Sequence, residues 1–388
     1  MGLLYVSNGN IPSRWAHTVQ TMKMCEALST LVPSFRLLIA SDARGLLSPT
    51  REIFRWYGIS RPFRVRRLPI GWRVPREILE KPDNQAFHLP AVRYVRLTRP
   101  KLVYTRCHEV ARQCLHHGFR TVFEVHSNNE KAQRYLRAFG RSPFLAGLVT
   151  TSEILADAFA EAGAPRECIM VHPNGVDLER FRDLESERDR RRRSLGIEQE
   201  RFLVVYVGSL YPYKGIATVL EAAGHLPEFR FLLLGGSDDQ ITKWRGRFPD
   251  LENVRYRSFV PNAEVPSYLA ASDACLVPNS ASDRTADFTY SLKLYEYMAA
   301  GRPVVASAFP SLRSVIGEGD AGILVPPDDA KAVADALVRL REDPSLCQRL
   351  STEGRRRAAE ASWGERARAL LSRFAPDLLK APNRPPTP

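Results

Sequence analysis

Short apolar runs alternate with segments of helical period along almost the whole chain. That alternation predicts parallel sheets joined by crossover helices. In the first half, LLYVS, FRLLIA, KLVYTR, TVFEVH and LAGLVTTS read as strands; in the second, RFLVVYVG, FRFLLLGG, VRYRSFV, ACLVPNS, RPVVAS and AGILVPP do. Residues 173–181 (PNGVDLERF) lie between the two sets and are rich in turn formers, which suits a hinge. The fold class expected is α/β: two doubly wound domains, 1–173 and 174–362, facing a central cleft. Ligands of such open sheets sit beyond the carboxyl ends of the strands. Residues 361–375 (ASWGERARALLSRFA) read as a last helix, and the proline-rich 378–388 as a fraying tail.

Composition narrows the class. The 388 residues suffice for two full cores, and 44% hydrophobic content is ordinary for a globular protein. No apolar run is long enough for a membrane span. The start, MGLLYVSNGNIP, lacks a basic n-region and reads as a first strand, not a signal peptide. Six scattered cysteines show no metal or redox spacing, as expected of reduced thiols in cytoplasm. Charge is lopsided: residues 1–173 hold 25 Lys/Arg and 13 Asp/Glu, whereas the remainder hold 31 and 30. An anionic partner for the first half follows: a membrane surface, a phosphorylated lipid or nucleic acid.

Several stretches carry candidate chemistry. In VVYVGSLYPYKGIATVLEAA, Gly208 follows a strand and Lys214 precedes a helix start, a pairing that suits a phosphate or diphosphate. A surface lysine beside a turn explains it equally well. FLLLGGSDD ends a strand on Gly235 and Gly236, allowing close backbone approach to a ligand or simply a tight turn. SLKLYEYMAAGRPVVAS predicts a helix capped by Ser291, ended by Gly301 and Pro303, then a buried strand. Its Glu296 could accept hydrogen bonds from a ribose or be an exposed glutamate near a helix start. His126 ends a strand of the first domain, and Asn8, Arg14 and His17 lie in the first loop. Residues 55–76, Arg55 and Arg76 included, carry seven arginines, no acid, and Trp56, Tyr57, Phe63 and Trp72. That mixture suits anionic headgroups at a water–lipid boundary, and single-stranded nucleic acid would also accept it. The arginine run at 190–193 reads as a solvated helix face.

PNGVDLERF, YVGSLYPYKG, FVPNAEVPSYLAASD and SLKLYEYMAAGRPVVAS, in this order and spacing, resemble glycosyltransferase family 4: retaining, nucleotide-sugar-dependent enzymes of the GT-B fold. GDAGILVPPDD also fits, and LVYTR, FEVHSN and VTTSEILADAF support the first half more loosely. The resemblance implies a first domain, 1–173 with a crossing helix 363–377, that binds the acceptor, and a second, 174–362, that binds the donor. It implies catalytic roles for His126, Lys214 and Glu296: His126 near the donor sugar, Lys214 on the diphosphate, Glu296 on the ribose. Further donor contacts are implied for Gly208, Ser209, Gly235, Val260, Tyr290, Ser291, Leu292 and Lys293. Asn8, Arg14, His17, Arg106 and Arg284 are acceptor or phosphate candidates.

The departures from the family are specific. Phe288 stands where many members carry a first glutamate, Ser209 where a basic partner is common, and Ser258 where a glycine precedes the base-binding turn. Lys293, Arg284 and Arg14 are candidate compensating cations.

The expected function is transfer of a sugar from a UDP- or GDP-sugar to a glycan or lipid-linked saccharide, in polysaccharide or glycolipid biosynthesis. No cofactor and no metal are expected. The expected location is cytoplasmic, peripheral on the inner face of the membrane through residues 55–76. A sugar phosphorylase, a nucleotide-sugar epimerase, a nucleic-acid-binding protein and a catalytically dead scaffold are the rival readings. No recognised nucleic-acid motif accompanies the basic half.

Overall fold

The computed structural model describes residues 1–9, 11–13, 15–41, 49–69, 87–283, 285–288 and 290–379. Two units emerge: Met1–Pro173 together with the chain from Trp363, and Asn174–Ser362. Each holds one parallel sheet.

Unit 1 runs β1 (Leu3–Ser7), α1 (Ala16–Leu31), β2 (Arg36–Ser41), α2 (Thr50–Tyr57), β3 (Val65–Pro69), α3 (His88–Thr98), β4 (Leu102–Thr105), α4 (His108–His116), β5 (Thr121–Glu124), α5 (Glu130–Phe139), β6 (Leu145–Thr150), α6 (Glu153–Glu161) and β7 (Ile169–Val171). Its seven strands are ordered β3-β2-β1-β4-β5-β6-β7. The inner strands β1, β4 and β5 are buried at every position. A parallel sheet covered on both faces requires such continuous apolar runs. The closing helix Trp363–Phe374 packs beside α1, so the chain's end belongs to the unit in which it began.

Unit 2 runs α7 (Glu185–Leu195), β8 (Leu203–Val207), α8 (Ile216–His225), β9 (Arg230–Gly236), α9 (Asp238–Arg247), β10 (Val254–Ser258), α10 (Val265–Ala271), β11 (Ala274–Val277), α11 (Leu292–Ala299), β12 (Val304–Ser307), α12 (Pro310–Ile316), β13 (Ile323–Val325), α13 (Ala330–Glu342) and α14 (Pro344–Glu360). Its six strands are ordered β10-β9-β8-β11-β12-β13. Both sheets are doubly wound and Rossmann-like, with the strand order reversing beside β1 and beside β8.

The structure departs from the sequence reading in three places and sets the unit boundary inside a fourth stretch. The arginine-rich stretch contains an edge strand, β3, and its aromatics turn inward. Tyr57 is fully buried, Phe63 packs on Phe35 and Phe54, and Trp56 Nε1 donates to the Ser13 carbonyl. These rings therefore serve unit 1's core and not a lipid boundary; Trp72 lies outside the described residues. The turn-rich 173–181 holds the boundary between the units, at Pro173–Asn174, and from Asn174 on it is tied into unit 2. Asn174 Nδ2 donates to the Tyr290 carbonyl at 2.7 Å, and Phe181 enters the core of unit 2. Ser291 occupies the N-cap of α11, but its side chain makes no capping hydrogen bond. Arg192, inside the supposed solvated face, is fully buried on backbone carbonyls and Asp273. Gly301 does adopt the left-handed conformation after α11, at φ 63°.

Candidate active site

Loops leaving the carboxyl ends of β8, β9 and β11 meet where the strand order of unit 2 reverses. Gly208, just past β8, has φ 146°, and Gly235, near the end of β9, has φ 117°. A Cβ on Gly208 would lie 2.6 Å from Lys293 Nζ; one on Gly235 would lie 2.8 Å from the Gly208 carbonyl oxygen. Only glycine fits either place, and the bare backbone leaves room for close approach to a ligand. Tyr206 Oη steadies the turn by donating to the Ser209 carbonyl at 2.8 Å.

Lys214 ends the short turn Pro212–Lys214, and its Nζ donates to Asp283 Oδ2 at 2.9 Å. Asp283 is a residue the sequence reading missed. Its side chain is 4% exposed and also accepts from Thr285 N at 3.0 Å and Thr285 Oγ1 at 2.6 Å. Burial opposes its ionisation, but the bonds from Thr285 and Lys214 outweigh burial and hold the carboxyl below its ordinary range. Lys293, the second residue of α11, lies with Nζ 3.9 Å from the centroid of the Tyr206 ring. Burial, and next the repulsion of Lys214, push its amine well below the ordinary lysine pKa; Glu296 pulls the other way. Both lysines and Glu296 thus share one field.

Glu296 sits in the middle of α11 with its side chain only 15% exposed, so it is not a solvated surface glutamate. Its Oε1 accepts from Asn262 Nδ2 at 3.4 Å and lies 3.8 Å from Arg180 Nη1. Arg180 in turn donates to Asn262 Oδ1 at 2.9 Å. Val260 and Tyr290 pack at the edge of the same core. Behind them Tyr297 Oη accepts from Val207 N at 2.8 Å, tying α11 to the end of β8. The stacked rings of Tyr211 and Tyr213, 5.5 Å apart, stand beside Lys214 at the surface.

Unit 1 assembles a different structure at the ends of β1, β4 and β5. Glu124 is 1% exposed and accepts from Tyr104 Oη, Gln20 Nε2 at 3.1 Å and Arg366 Nη2 at 3.2 Å. His126 Nε2 lies 2.5 Å from Glu124 Oε1, and Arg106 Nη2 lies 3.1 Å from His126 Nδ1. A guanidinium only donates, so Nδ1 accepts and Nε2–H donates to the carboxylate. Burial, then Arg106, lower His126 to about 4 against the pull of Glu124, so the ring is neutral at physiological pH. Burial opposes ionisation of Glu124, yet Arg366, His126 and Arg106 hold its carboxyl far below the ordinary range. His17 is likewise lowered to about 4, by burial and by Arg106.

The structure therefore gathers the sequence's candidates into two groups. Gly208, Ser209, Lys214, Gly235, Leu292, Lys293 and Glu296 belong to the loops and helix around the β8 end of unit 2. His17, Arg106 and His126 join in unit 1, with Asn8 on the loop beside them. His126 has both ring nitrogens engaged inside that network, with its side chain 17% exposed. Arg14 and Arg284 lie outside the described residues. Gln20, Tyr104, Glu124 and Arg366 escaped the sequence reading because they meet only through the fold; Arg366 arrives from the closing helix. Asp283 had one readable signal, an acid five residues before Phe288 in the loop ahead of α11. Among the described residues no group of three or more His, Cys, Asp or Glu is placed to hold a metal ion, and no helix is long and apolar enough to cross a membrane.

Comparison with known proteins converges on one family. The family model "Glycosyl transferases group 1" matches residues 201–343, and "Glycosyltransferase Family 4" matches residues 37–180. The chain is 29% identical over 237 residues to a D-inositol 3-phosphate glycosyltransferase 1 of Catenulispora acidiphila, covering 57% of this chain and 54% of that protein. It is 32% identical over 180 residues to a phosphatidyl-myo-inositol mannosyltransferase of Mycolicibacterium smegmatis, covering 45% of this chain and 43% of that protein. The matches thus span roughly half the length of these curated relatives. Among solved structures, Anabaena HepE in complex with UDP is similar in fold, with a TM-score of 0.74 at 18% identity over 96% of this chain and 100% of that one. Two family models in tandem, over the two units and on the motifs that build the lysine–glutamate site, leave one assignment: the chain belongs to the group 1, family 4 glycosyltransferases.

Proposed function

We propose that this chain is a retaining glycosyltransferase that moves a sugar from a UDP- or GDP-sugar to a glycan or phosphorylated, lipid-linked acceptor. The observation that carries the reading is the lysine pair over a glycine-lined turn, with a half-buried glutamate on the next helix. Lys214 and Lys293 meet the diphosphate, and Glu296 takes the ribose hydroxyls. In the unliganded protein Asp283 occupies Lys214, so the donor's diphosphate competes with a built-in carboxylate for the same ammonium. A dianion beside Lys293 offsets that competition, because it counters the burial and the Lys214 repulsion that lower the Lys293 pKa.

In the reaction the acceptor oxygen attacks the anomeric carbon on the face the diphosphate leaves. The C1–O bond to phosphate breaks with its electron pair going to the leaving oxygen, which takes the acceptor's proton. The transition state is oxocarbenium-like, and charge grows on the diphosphate. Lys214 and Lys293 then bind the transition state more tightly than the ground state. No metal is assigned a role.

The acceptor side falls to unit 1, which carries the chain's basic excess. Names of the curated relatives specify inositol 3-phosphate and phosphatidyl-myo-inositol. A phosphorylated polyol or its lipid form suits Arg106 and the first-loop residues Asn8 and His17. The exposed Arg55, Arg61, Arg64 and Arg66 supply electrostatic attraction to an anionic membrane. A glycolipid or surface-polysaccharide pathway in the cytoplasm, at the membrane's inner face, is the setting that fits.

A thermal-shift panel of UDP, GDP, ADP and their sugars tests the donor. One nucleotide should stabilise the chain, and its sugar should release free nucleoside diphosphate with a lengthened acceptor. Release of a sugar phosphate, or conversion of the sugar without transfer, would identify a phosphorylase or an epimerase instead.

A further inference from the structure

The sequence placed unit 1's lipid contact on arginines interleaved with aromatics, but Trp56, Tyr57 and Phe63 turn inward. Among the described residues of unit 1, the most exposed large apolar side chains lie elsewhere, ahead of Ile154, Trp15 and Phe144. Leu89 and Leu97 are 77% and 75% exposed, and both belong to α3.

The helix is built to leave them out. Phe87 at its N-cap, with Ala91 and Val95, is fully buried against Leu4, Val6, Leu38 and Val103 of the sheet. At 100° per residue, Leu89, Arg93, Arg96 and Leu97 fall within about 100° of arc on the opposite side. Arg93, Arg96, Arg99 and Lys101 are all exposed, and α3 contains no acidic residue. Two leucines about 12 Å apart with an arginine between them make no continuous seam. A helix that docks in a protein groove needs contiguous apolar anchors, whereas leucines ringed by cations of one sign fit an anionic lipid surface. The unit's large basic excess points the same way.

We propose that α3 is the lipid-contacting element of this chain: Leu89 and Leu97 enter the headgroup boundary of an anionic membrane while Arg93, Arg96 and Arg99 hold its phosphates. Arginines of the 55–69 stretch add only screened attraction. This deepens the proposed function, since it supplies the surface on which a lipid-linked acceptor is met, but it does not depend on the donor chemistry.

The test is co-sedimentation of the full chain, without nucleotide, with phosphatidylglycerol–phosphatidylcholine vesicles and with phosphatidylcholine alone. The parent should bind the anionic vesicles at low salt. Leu89→Ser with Leu97→Ser should weaken partition about tenfold or more at low and high salt alike. Arg93→Ser with Arg96→Ser should weaken it by a similar factor at low salt and little at high salt. Arg61→Ser with Arg64→Ser should resemble the second variant and leave the salt-resistant part intact. A far-UV melting curve checks that each variant folds, and loss of nucleotide binding in a separate titration would damage the donor reading alone. No binding by the parent at low salt, or undiminished binding by the leucine variant, overturns the proposal. So does a parent dimer that the leucine variant dissolves without change in vesicle binding.

Discussion

The β8 end of unit 2 and the β5 end of unit 1 are both polar sites at the carboxyl ends of parallel strands, yet they are made in opposite ways. In unit 2 the groups come from short, contiguous stretches: Gly208 to Lys214 in one loop, Lys293 and Glu296 on one helix, with Asp283 a loop away. They keep partly open faces, with Lys214 at 22% and Glu296 at 15% exposure. In unit 1, Gln20, Tyr104, Arg106, Glu124, His126 and Arg366 come from four separate segments and bond to one another around the buried Glu124. Glu124, with its hydrogen bonds spent internally, holds a wall; Lys214, whose carboxylate partner is Asp283, is ready to exchange it for an anion. Unit 2 should therefore govern donor binding and rate, and the buried network of unit 1 should govern stability.

Removing Glu124 should break that contrast most forcefully. Glu124→Ala strands a fully buried Arg366 and should cost on the order of 3–5 kcal/mol of stability, read by denaturant unfolding. Nucleotide affinity of the surviving folded protein should hold within about twofold; a large loss there would show the two regions to be one site. Next, Lys214→Ala should lower the transfer rate on the order of 100-fold or more, as expected for a group stabilising developing charge. An unchanged rate would remove Lys214 from that role. Glu296→Ala should weaken nucleotide binding by about 2 kcal/mol, the size of a charge-assisted hydrogen bond, with the effect vanishing for a 2′,3′-dideoxy nucleotide.

The smallest effect per residue concerns pH. His17 and His126 stay neutral down to about 4 in the fold, whereas an unfolded histidine takes up its proton near 6.5. The unfolded chain then binds more protons between these values, so stability falls as pH drops from 7 to 5, by on the order of 1–2 kcal/mol per histidine. The fall should shrink in His126→Gln. A melting temperature that rises on acidification would contradict the neutral assignment.

The same comparison explains what the sequence made legible. Most strands of both sheets announced themselves as apolar runs, because a parallel sheet buries both faces. β3 did not, since this edge strand reads VRRLP and none of its residues is fully buried. β7, with three residues, is too short for any period to show. Lys214, Lys293 and Glu296 were readable because their geometry is local. The Glu124 network was not, because residues as far apart as Gln20 and Arg366 meet only after the closing helix packs. The aromatics near Arg55 misled for a related reason: interleaving with arginines looks alike whether the rings face lipid or, as Tyr57 and Phe63 do, the unit's own core.

Hydrogen–deuterium exchange with and without saturating UDP or GDP addresses the central claim, that unit 2 alone grips the nucleotide through the lysine turn and α11. Protection should appear in peptides covering residues 207–216 and 290–297, and Lys214→Ala should diminish it. Protection confined to Met1–Pro173, with those two segments unchanged, would contradict the account.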